Sequence, residues 1–300
     1  MKIHCDDFNL AATLDSGQVF GFRKNERERY EGLIDGHPVC LWQENGCLNV
    51  QNVSGLLSTE VVQKYFDLHR DLKEIYSFLR SDPVLKPSFK AFKGLRLIRQ
   101  DPWEALACFV ISSNNNVKRI KGIHRNLTEY FSRHQTVSGP KLFPSPSRIA
   151  QSHERILRQL GLGYRAPFLL NTATFLSKNP DYFETIRCLD YENAKTRVLS
   201  FPGIGPKVAD CALLYGFHKL EAFPVDVWML RVMRRLYFKN RKISEDRIRR
   251  FGMKRWGCHA GYVQQYLFHG ERSGIFSPPR HFERSEKSHL YEISRPSASR

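Results

Sequence analysis

The sequence predicts an α+β protein, with a small N-terminal antiparallel β-sheet packed on a larger, wholly helical body. Three observations carry this. Between Gly17 and Val50 short apolar runs alternate with turn signals; after about Glu60 the apolar spacing becomes helical; and from Trp103 onward one helical pattern follows another without an internal repeat. At 300 residues and 41% hydrophobic content, the chain has ample apolar side chain for a core.

The runs GQVFGF (17–22), YEGLI (30–34), PVCLW (38–42) and CLNV (47–50) read as strands. A charged loop, Asp35-Gly36 and Asn45-Gly46 separate them, and both dipeptides suit the positive-φ positions of tight hairpin turns. The segment 61–79 has helical spacing, and Pro83, Pro87 and Pro102 then punctuate the chain. These signals predict a sheet domain with flanking helices over 1–95 and a helical domain over 96–272. WEALACFVI (103–111) is almost wholly apolar, which predicts a helix buried on most sides. Further helices are predicted over Val117–Phe131, Ser147–Leu160, Ala166–Leu176, Tyr191–Ser200, Pro206–Phe217, Val227–Phe238, Ser244–Phe251 and Gly261–Gly270. The stretch 273–300 is rich in Ser, Pro and Arg and poor in apolar residues, so a disordered tail is expected there.

Composition excludes several classes of function. Seven cysteines, at 5, 40, 47, 108, 188, 211 and 258, form no Cys-x-x-Cys pair and no paired Cys/His spacing for zinc or an iron–sulfur cluster. No metal and no cofactor are expected. The opening MKIHCDDFNL lacks the basic and apolar segments of a secretory signal, so the thiols are read as reduced and the protein as intracellular, with the choice of bacterial or eukaryotic compartment open. No segment has the apolar length to span a bilayer.

A net charge of +17 and a pI near 9.7 favour a polyanionic partner. Eleven Lys/Arg and two acids lie between Arg231 and Arg255, a net +9. A solvated helix face is the ordinary reading of one basic stretch, but concentration on this scale favours a surface that tracks phosphates.

The segment KTRVLSFPGIGPKVADCALLYGF (195–217) joins two helical patterns through Phe201-Pro202-Gly203-Ile204-Gly205, a helix-hairpin-helix over 191–217. Gly203 and Gly205 let backbone N–H groups approach a phosphate without a Cβ in the way, and the start of the next helix adds partial positive charge. Pro206 suits the first position of that helix. Lys207 falls in its first turn, where the helix dipole disfavours a second cation, and is a candidate amine nucleophile. Asp226 precedes the predicted Val227 helix as its N-cap, a role compatible with facing a reaction centre. Cys211 lies one helical turn from Lys207, on the same face.

The FPGIGPKVADC hairpin followed by PVD resembles the helix-hairpin-helix glycosylase superfamily, with the lysine of its bifunctional members. LDSGQVF (14–20), RQDPWEALACFVISSNNNVKRI (99–120), GLGYRA (161–166) and WGCHAGYVQQYLF (256–268) resemble the eukaryotic-type 8-oxoguanine DNA glycosylase/AP lyase family, from about residue 7 to about residue 272. The resemblance implies a helix-hairpin-helix glycosylase body that acts as a monomer on double-stranded DNA containing 8-oxoguanine opposite cytosine. Lys207 would attack C1′ and form a Schiff base, and β-elimination would cut the strand. Asp226 would stabilise cationic charge on the sugar. The Gly17 carbonyl would accept a hydrogen bond from N7–H of the lesion, Cys211 and Phe268 would sandwich the extruded base, and Gln264 would read its Watson–Crick edge. Asn114, Arg119 and Arg165 match residues that recognise the orphaned cytosine, and Tyr164 the wedge in the duplex. One departure stands out: Trp228 occupies the position of a family histidine that lies near a DNA phosphate. The rival readings are a helix-hairpin-helix glycosylase with another lesion preference and a non-catalytic DNA-binding module.

Overall fold

Two glycine-containing dipeptides set the sheet. In the computed structural model, which describes residues 1–52, 55–133 and 139–276, Asp35 and Gly36 have φ of 50° and 77°, and Asn45 and Gly46 have 51° and 71°. Positive φ at both central positions matches the right-handed twist of the flanking strands. The strands are β1 (Lys2–His4), β2 (Arg23–Lys24), β3 (Tyr30–Ile34), β4 (His37–Glu44) and β5 (Cys47–Asn52), antiparallel in the order β1-β5-β4-β3-β2. Alternation along them sends Tyr30, Ile34, Val39, Leu41, Leu48 and Val50 into one small core with Phe8, Leu14, Phe22 and Phe66.

GQVFGF forms no strand, contrary to its apolar pattern. It follows helix α1 (Leu10–Leu14) as an irregular segment fastened by the buried Gln18. The Gln18 amide donates to the carbonyls of Thr13 (3.1 Å) and Arg96 (2.8 Å) and accepts from the N–H of Ile98 at 2.8 Å, while the Gln18 carbonyl accepts from Gln100 at 2.7 Å. These bonds replace a strand ladder, so the backbone polar groups are satisfied without a sheet. Its apolar residues are divided between two cores, Phe20 facing the helices and Val19 and Phe22 facing the sheet. That seam placement made the run look like a strand.

The 61–79 pattern divides into α2 (Thr59–Tyr65) and α3 (Lys73–Ser81), interrupted where Asp67 turns to φ 51°. Asp67 is buried and ion-paired with Arg70 and with Arg99 (2.8 Å). Helix α3 and helix α4 (Lys86–Phe92) contribute Ile75, Tyr76, Leu79 and Leu85 to the helical core rather than to the sheet core. At the centre of the helical core is α5 (Pro102–Ile111), buried from Ala105 to Ile111. Around it lie α6 (Val117–Phe131), α7 (Pro146–Ala150), α8 (Glu154–Leu157), α9 (Ala166–Lys178), α10 (Tyr182–Cys188), α11 (Tyr191–Leu199), α12 (Pro206–Tyr215), α13 (Val227–Tyr237), α14 (Glu245–Trp256) and α15 (Ala260–Arg272). The single helix expected over Ser147–Leu160 breaks at Gln151–His153, and the chain then widens into a π turn over Arg158–Leu162.

Ser273–Phe276 still belong to the folded body. The Ile275 N–H reaches the Gly270 carbonyl at 2.9 Å, and Arg235 donates to the Phe276 carbonyl at 3.3 Å. The remainder of the expected tail, 277–300, lies outside the described residues. Among the described residues no helix is long and apolar enough to cross a membrane.

One buried carboxylate fixes the hairpin. Asp210, on α12 and fully buried, accepts from the Tyr191 hydroxyl at 2.6 Å and pairs with Lys195 (2.8 Å) and Arg249, so it ties α11 and α14 to α12. Removing one partner of a buried pair leaves the other charge uncompensated. Asp210→Ala is therefore expected to destabilise the fold by about 3–5 kcal/mol in urea denaturation; a loss below about 1 kcal/mol would show that Arg249 and Lys195 find other acceptors.

Candidate active site

Pro206 opens α12 and Gly205 is its N-cap. Proline has no N–H to leave unpaired in the first turn, so the free donors there are those of Lys207 and Val208. In the preceding turn Gly203 has φ +76°, but a Cβ there would run into the Phe168 ring, whereas at Gly205 a Cβ would meet nothing within 4 Å. The open approach to the backbone is thus at Gly205, and Gly203 serves the turn and its packing.

Lys207 extends from α12 across the end of α5. Its Nζ donates to Ser112 Oγ at 2.8 Å and stands 5.2 Å from the Phe109 ring centroid. Ser112 in turn donates to the Phe109 carbonyl at 2.7 Å. One turn along α12, burial pushes the Cys211 thiol up to about 12, with Lys207 acting to lower it and Asp226 to raise it. Both charged groups therefore lie within electrostatic reach of Cys211, which stays a neutral thiol. Asp226 caps α13, its Oδ1 accepting from the Met229 N–H at 2.8 Å.

The facing wall comes from α15 and the seam segment. Gln264 Nε2 donates to the Pro224 carbonyl at 3.2 Å, two residues before Asp226, and its buried Oε1 has no hydrogen-bond partner among the described residues. Phe268, one turn further, lies against Gly17, where an added Cβ would sit 3.3 Å from its ring edge. Gly17 has φ +86°, a conformation that an L side chain adopts only with strain. Gln265, between them in sequence, accepts from the Tyr215 hydroxyl and donates to the Ser16 carbonyl at 3.2 Å; Tyr215 stacks on Phe109 at 5.2 Å. Lys207 and Asp226 thus lie within electrostatic reach of Cys211, Gln264 is bonded to the segment that carries Asp226, and Phe268 lies against Gly17.

The second group of residues expected from sequence sits at the exit of α5. Asn114 takes φ +48° and is exposed, as is Arg119. Tyr164 is half exposed, with its hydroxyl 3.3 Å from the Ser113 carbonyl and Arg165 over its ring at 4.4 Å. Arg165 is buried, and its guanidinium donates to the carbonyls of Ser113 (2.7 Å), Asn114 (2.9 Å) and Leu162 (3.3 Å). In this conformation it holds the turn that presents Asn114. Trp228 is exposed, with Arg231 over its ring at 5.3 Å.

Residues 1–106 match the N-terminal domain of 8-oxoguanine DNA glycosylases, and residues 107–258 match the HhH-GPD superfamily of base excision DNA repair proteins. The chain belongs to the 8-oxoguanine DNA glycosylase family. A probable N-glycosylase/DNA lyase of Methanothermobacter thermautotrophicus is 33% identical over 92% of this chain and 97% of its own length. The N-glycosylase/DNA lyase of Saccharomyces cerevisiae is 34% identical over 91% of this chain and 86% of its own. A Clostridium acetobutylicum 8-oxoguanine glycosylase/lyase, solved in complex with double-stranded DNA containing cytosine opposite 8-oxoguanine, superposes with a TM-score of 0.83 at 31% identity, covering 91% of this chain and 98% of that one.

For a glycosylase of this family the basic stretch needs correcting. Arg249 is buried on Asp210, Arg235 pairs with the buried Glu271, Arg255 pairs with Asp82 at 3.1 Å and Arg234 donates to the Ile243 carbonyl at 2.6 Å. Three of the eleven cations, Arg234, Arg235 and Arg249, are therefore engaged within the fold, and the exposed ones are Arg231, Lys239, Arg241, Lys242, Arg247, Arg250, Lys254 and Arg255. Three residues at the site escaped the sequence reading: Phe109 beside Lys207, Ser112 and Arg272. Ser112 stood inside SSNNN, where its contact with Lys207 has no local signal. Arg272 donates to the Ser16 carbonyl at 3.0 Å, and its guanidinium fills the space a Cβ at Gly17 would need.

Gly17→Ala is expected to cost about 1–2 kcal/mol of stability from the left-handed backbone alone, read by urea denaturation. A cost of only a few tenths would mean that the seam segment relaxes to negative φ.

Proposed function

We propose that the protein is a bifunctional DNA glycosylase/AP lyase that excises 8-oxoguanine paired with cytosine from duplex DNA. The observation that supports the reading is the buried thiol of Cys211 within electrostatic reach of both Lys207 and Asp226, with Phe268 lying against Gly17. An enzyme acting on a base must take it out of the stack, at a cost of a few kcal/mol. In this reading the neutral thiol of Cys211 and the Phe268 ring would take the two faces of a planar base. The Gly17 carbonyl suits N7–H of 8-oxoguanine, which donates where guanine accepts. The unpartnered Gln264 Oε1 is an acceptor for the N–H groups of the base's Watson–Crick edge.

In the reaction the Lys207 amine forms a bond to C1′ while the C1′–N9 bond breaks and the base departs with the bonding pair. One amine proton passes to the departing base and the other to the sugar ring oxygen as the ring opens, which leaves a Schiff base between Nζ and C1′. Loss of a C2′ proton then expels the 3′ phosphate, which is β-elimination. Asp226, fixed by its capping bond, stabilises the cationic sugar as the bond breaks. Tyr164 stands out from the surface as the wedge. In this reading Asn114 and Arg119 bond the orphaned cytosine, and Arg165 holds or joins them. The N–H groups at Gly205 and the first turn of α12 take a phosphate.

Sodium borohydride reduces a Schiff base to a stable amine, so a duplex with one 8-oxoguanine opposite cytosine should become covalently attached to the protein. Lys207→Gln is expected to lose base release and the adduct while still binding the lesion; an adduct at wild-type yield would remove Lys207 from the chemistry. Asp226→Asn keeps a good cap and should fold normally, with a single-turnover rate reduced by about 100- to 1000-fold. Wild-type kinetics in that variant would reduce Asp226 to a cap.

A further inference from the structure

Arg272 is the last residue of α15 and has no part in the chemistry described above. Its Nη1 donates to the Ser16 carbonyl at 3.0 Å, and its guanidinium lies 5.5 Å from the Phe268 ring centroid. The space left by the missing Cβ of Gly17 is filled from one side by the Phe268 ring edge and from the other by this guanidinium. Burial lowers the pKa of Arg272, while Asp226 and Asp15 act to raise it, which places the cation within electrostatic reach of Asp226 as well.

We infer that Arg272 is a placeholder for the extruded base: its planar guanidinium occupies the entrance between Gly17 and Phe268, and a base enters only by displacing it. The inference rests on the assignment of Gly17 and Phe268 as walls of the base pocket. A guanidinium is flat, and against an aromatic ring it takes up the position of a planar heterocycle. A base stacked on the Phe268 ring would need the space over that ring which the guanidinium holds, 5.5 Å from its centroid, so the two exclude each other. Displacement leaves little unsatisfied, because the Ser16 carbonyl also accepts from Gln265 at 3.2 Å. The freed cation sits at the C-terminal end of a helix, where it is electrostatically favoured. The cost falls on every base alike, so only a base whose own contacts outweigh it is held. When the competent pocket is only fractionally populated, apparent affinity falls by that fraction. Bases that bind the pocket weakly fail to displace the guanidinium, and one that also bonds Gly17 and Gln264 succeeds.

Binding is measured in the Lys207→Gln background, so that no strand is cut, with two duplexes: one carrying 8-oxoguanine opposite cytosine and one carrying a tetrahydrofuran abasic analogue opposite cytosine. The abasic analogue has no base to insert. Arg272→Ala is expected to tighten binding of the 8-oxoguanine duplex about tenfold and leave the abasic duplex unchanged. Arg272→Gln, shorter but polar, should move in the same direction, and thermal denaturation checks that both variants fold. Weaker binding of both duplexes would make Arg272 a phosphate contact. Weaker binding of the 8-oxoguanine duplex alone would make it a favourable base contact, and no change in either would leave it a surface cation; each outcome overturns the placeholder. Borohydride trapping by the protein with Lys207 intact reports separately on the proposed function, so a failure there is distinguishable from a failure here.

Discussion

A helix buried on all sides has to end somewhere, and its last carbonyls then lie inside the protein without intrahelical donors. Helix α5 meets this constraint, and much of the site follows from how it is met. The Ser112 hydroxyl turns back to the Phe109 carbonyl, the Asn115 amide reaches the Ile111 carbonyl at 3.0 Å, and the Arg165 guanidinium gathers the carbonyls of Ser113 and Asn114. Each donor that closes the helix also shapes the surface around Lys207. Ser112 becomes its hydrogen-bond partner, and Arg165 holds the turn on which Asn114 stands. The Lys207 amine lies between two helix ends of opposite polarity, the positive start of α12 and the negative end of α5. The first of these was visible in the sequence. The second required the packing of α12 on α5.

That contrast describes how far the sequence could be read. Wherever the determining interaction is local, the residues announce it. Asp35-Gly36 and Asn45-Gly46 turn where their backbone preferences require, Asp226 caps the helix that begins one residue later, and Val117–Phe131 is a helix over the predicted span. Of the residues grouped with Lys207, Gly17, Gln264 and Phe268 came from resemblance alone, since the contact between Gly17 and Phe268 spans most of the chain and leaves no local trace. Where a long-range contact decides, the pattern misled. GQVFGF alternates like a strand because its side chains serve two cores, and the amide of Gln18 provides the bonds a ladder would have supplied. Arg249 and Arg235 counted toward a DNA-facing surface, although each has a buried carboxylate as partner. Charge composition cannot distinguish a cation that meets solvent from one that neutralises an acid.

Two side chains illustrate a further limit. Arg165 and Arg272 are both arginines near the site, and both are held by main-chain carbonyls. Arg165 is bound by three carbonyls and fully enclosed, so it acts as part of the scaffold in this state. Arg272 has one such bond, to a carbonyl that already has another donor, and its head lies against an aromatic ring. The number and redundancy of hydrogen bonds, rather than residue type, separate a fixed arginine from one that can leave.

The seam segment has a wider consequence. Lys207, Cys211 and Asp226 all rise from the helical core, whereas Gly17 is delivered by a loop pinned between that core and the sheet. On the proposed assignment, the backbone carbonyl that would read N7 is packed apart from the groups that would break the bond, while Gln264 and Phe268 share the helical body with them. A change in the sheet or its loop would therefore reach one of the three base contacts and leave the other two, and the chemistry, in place.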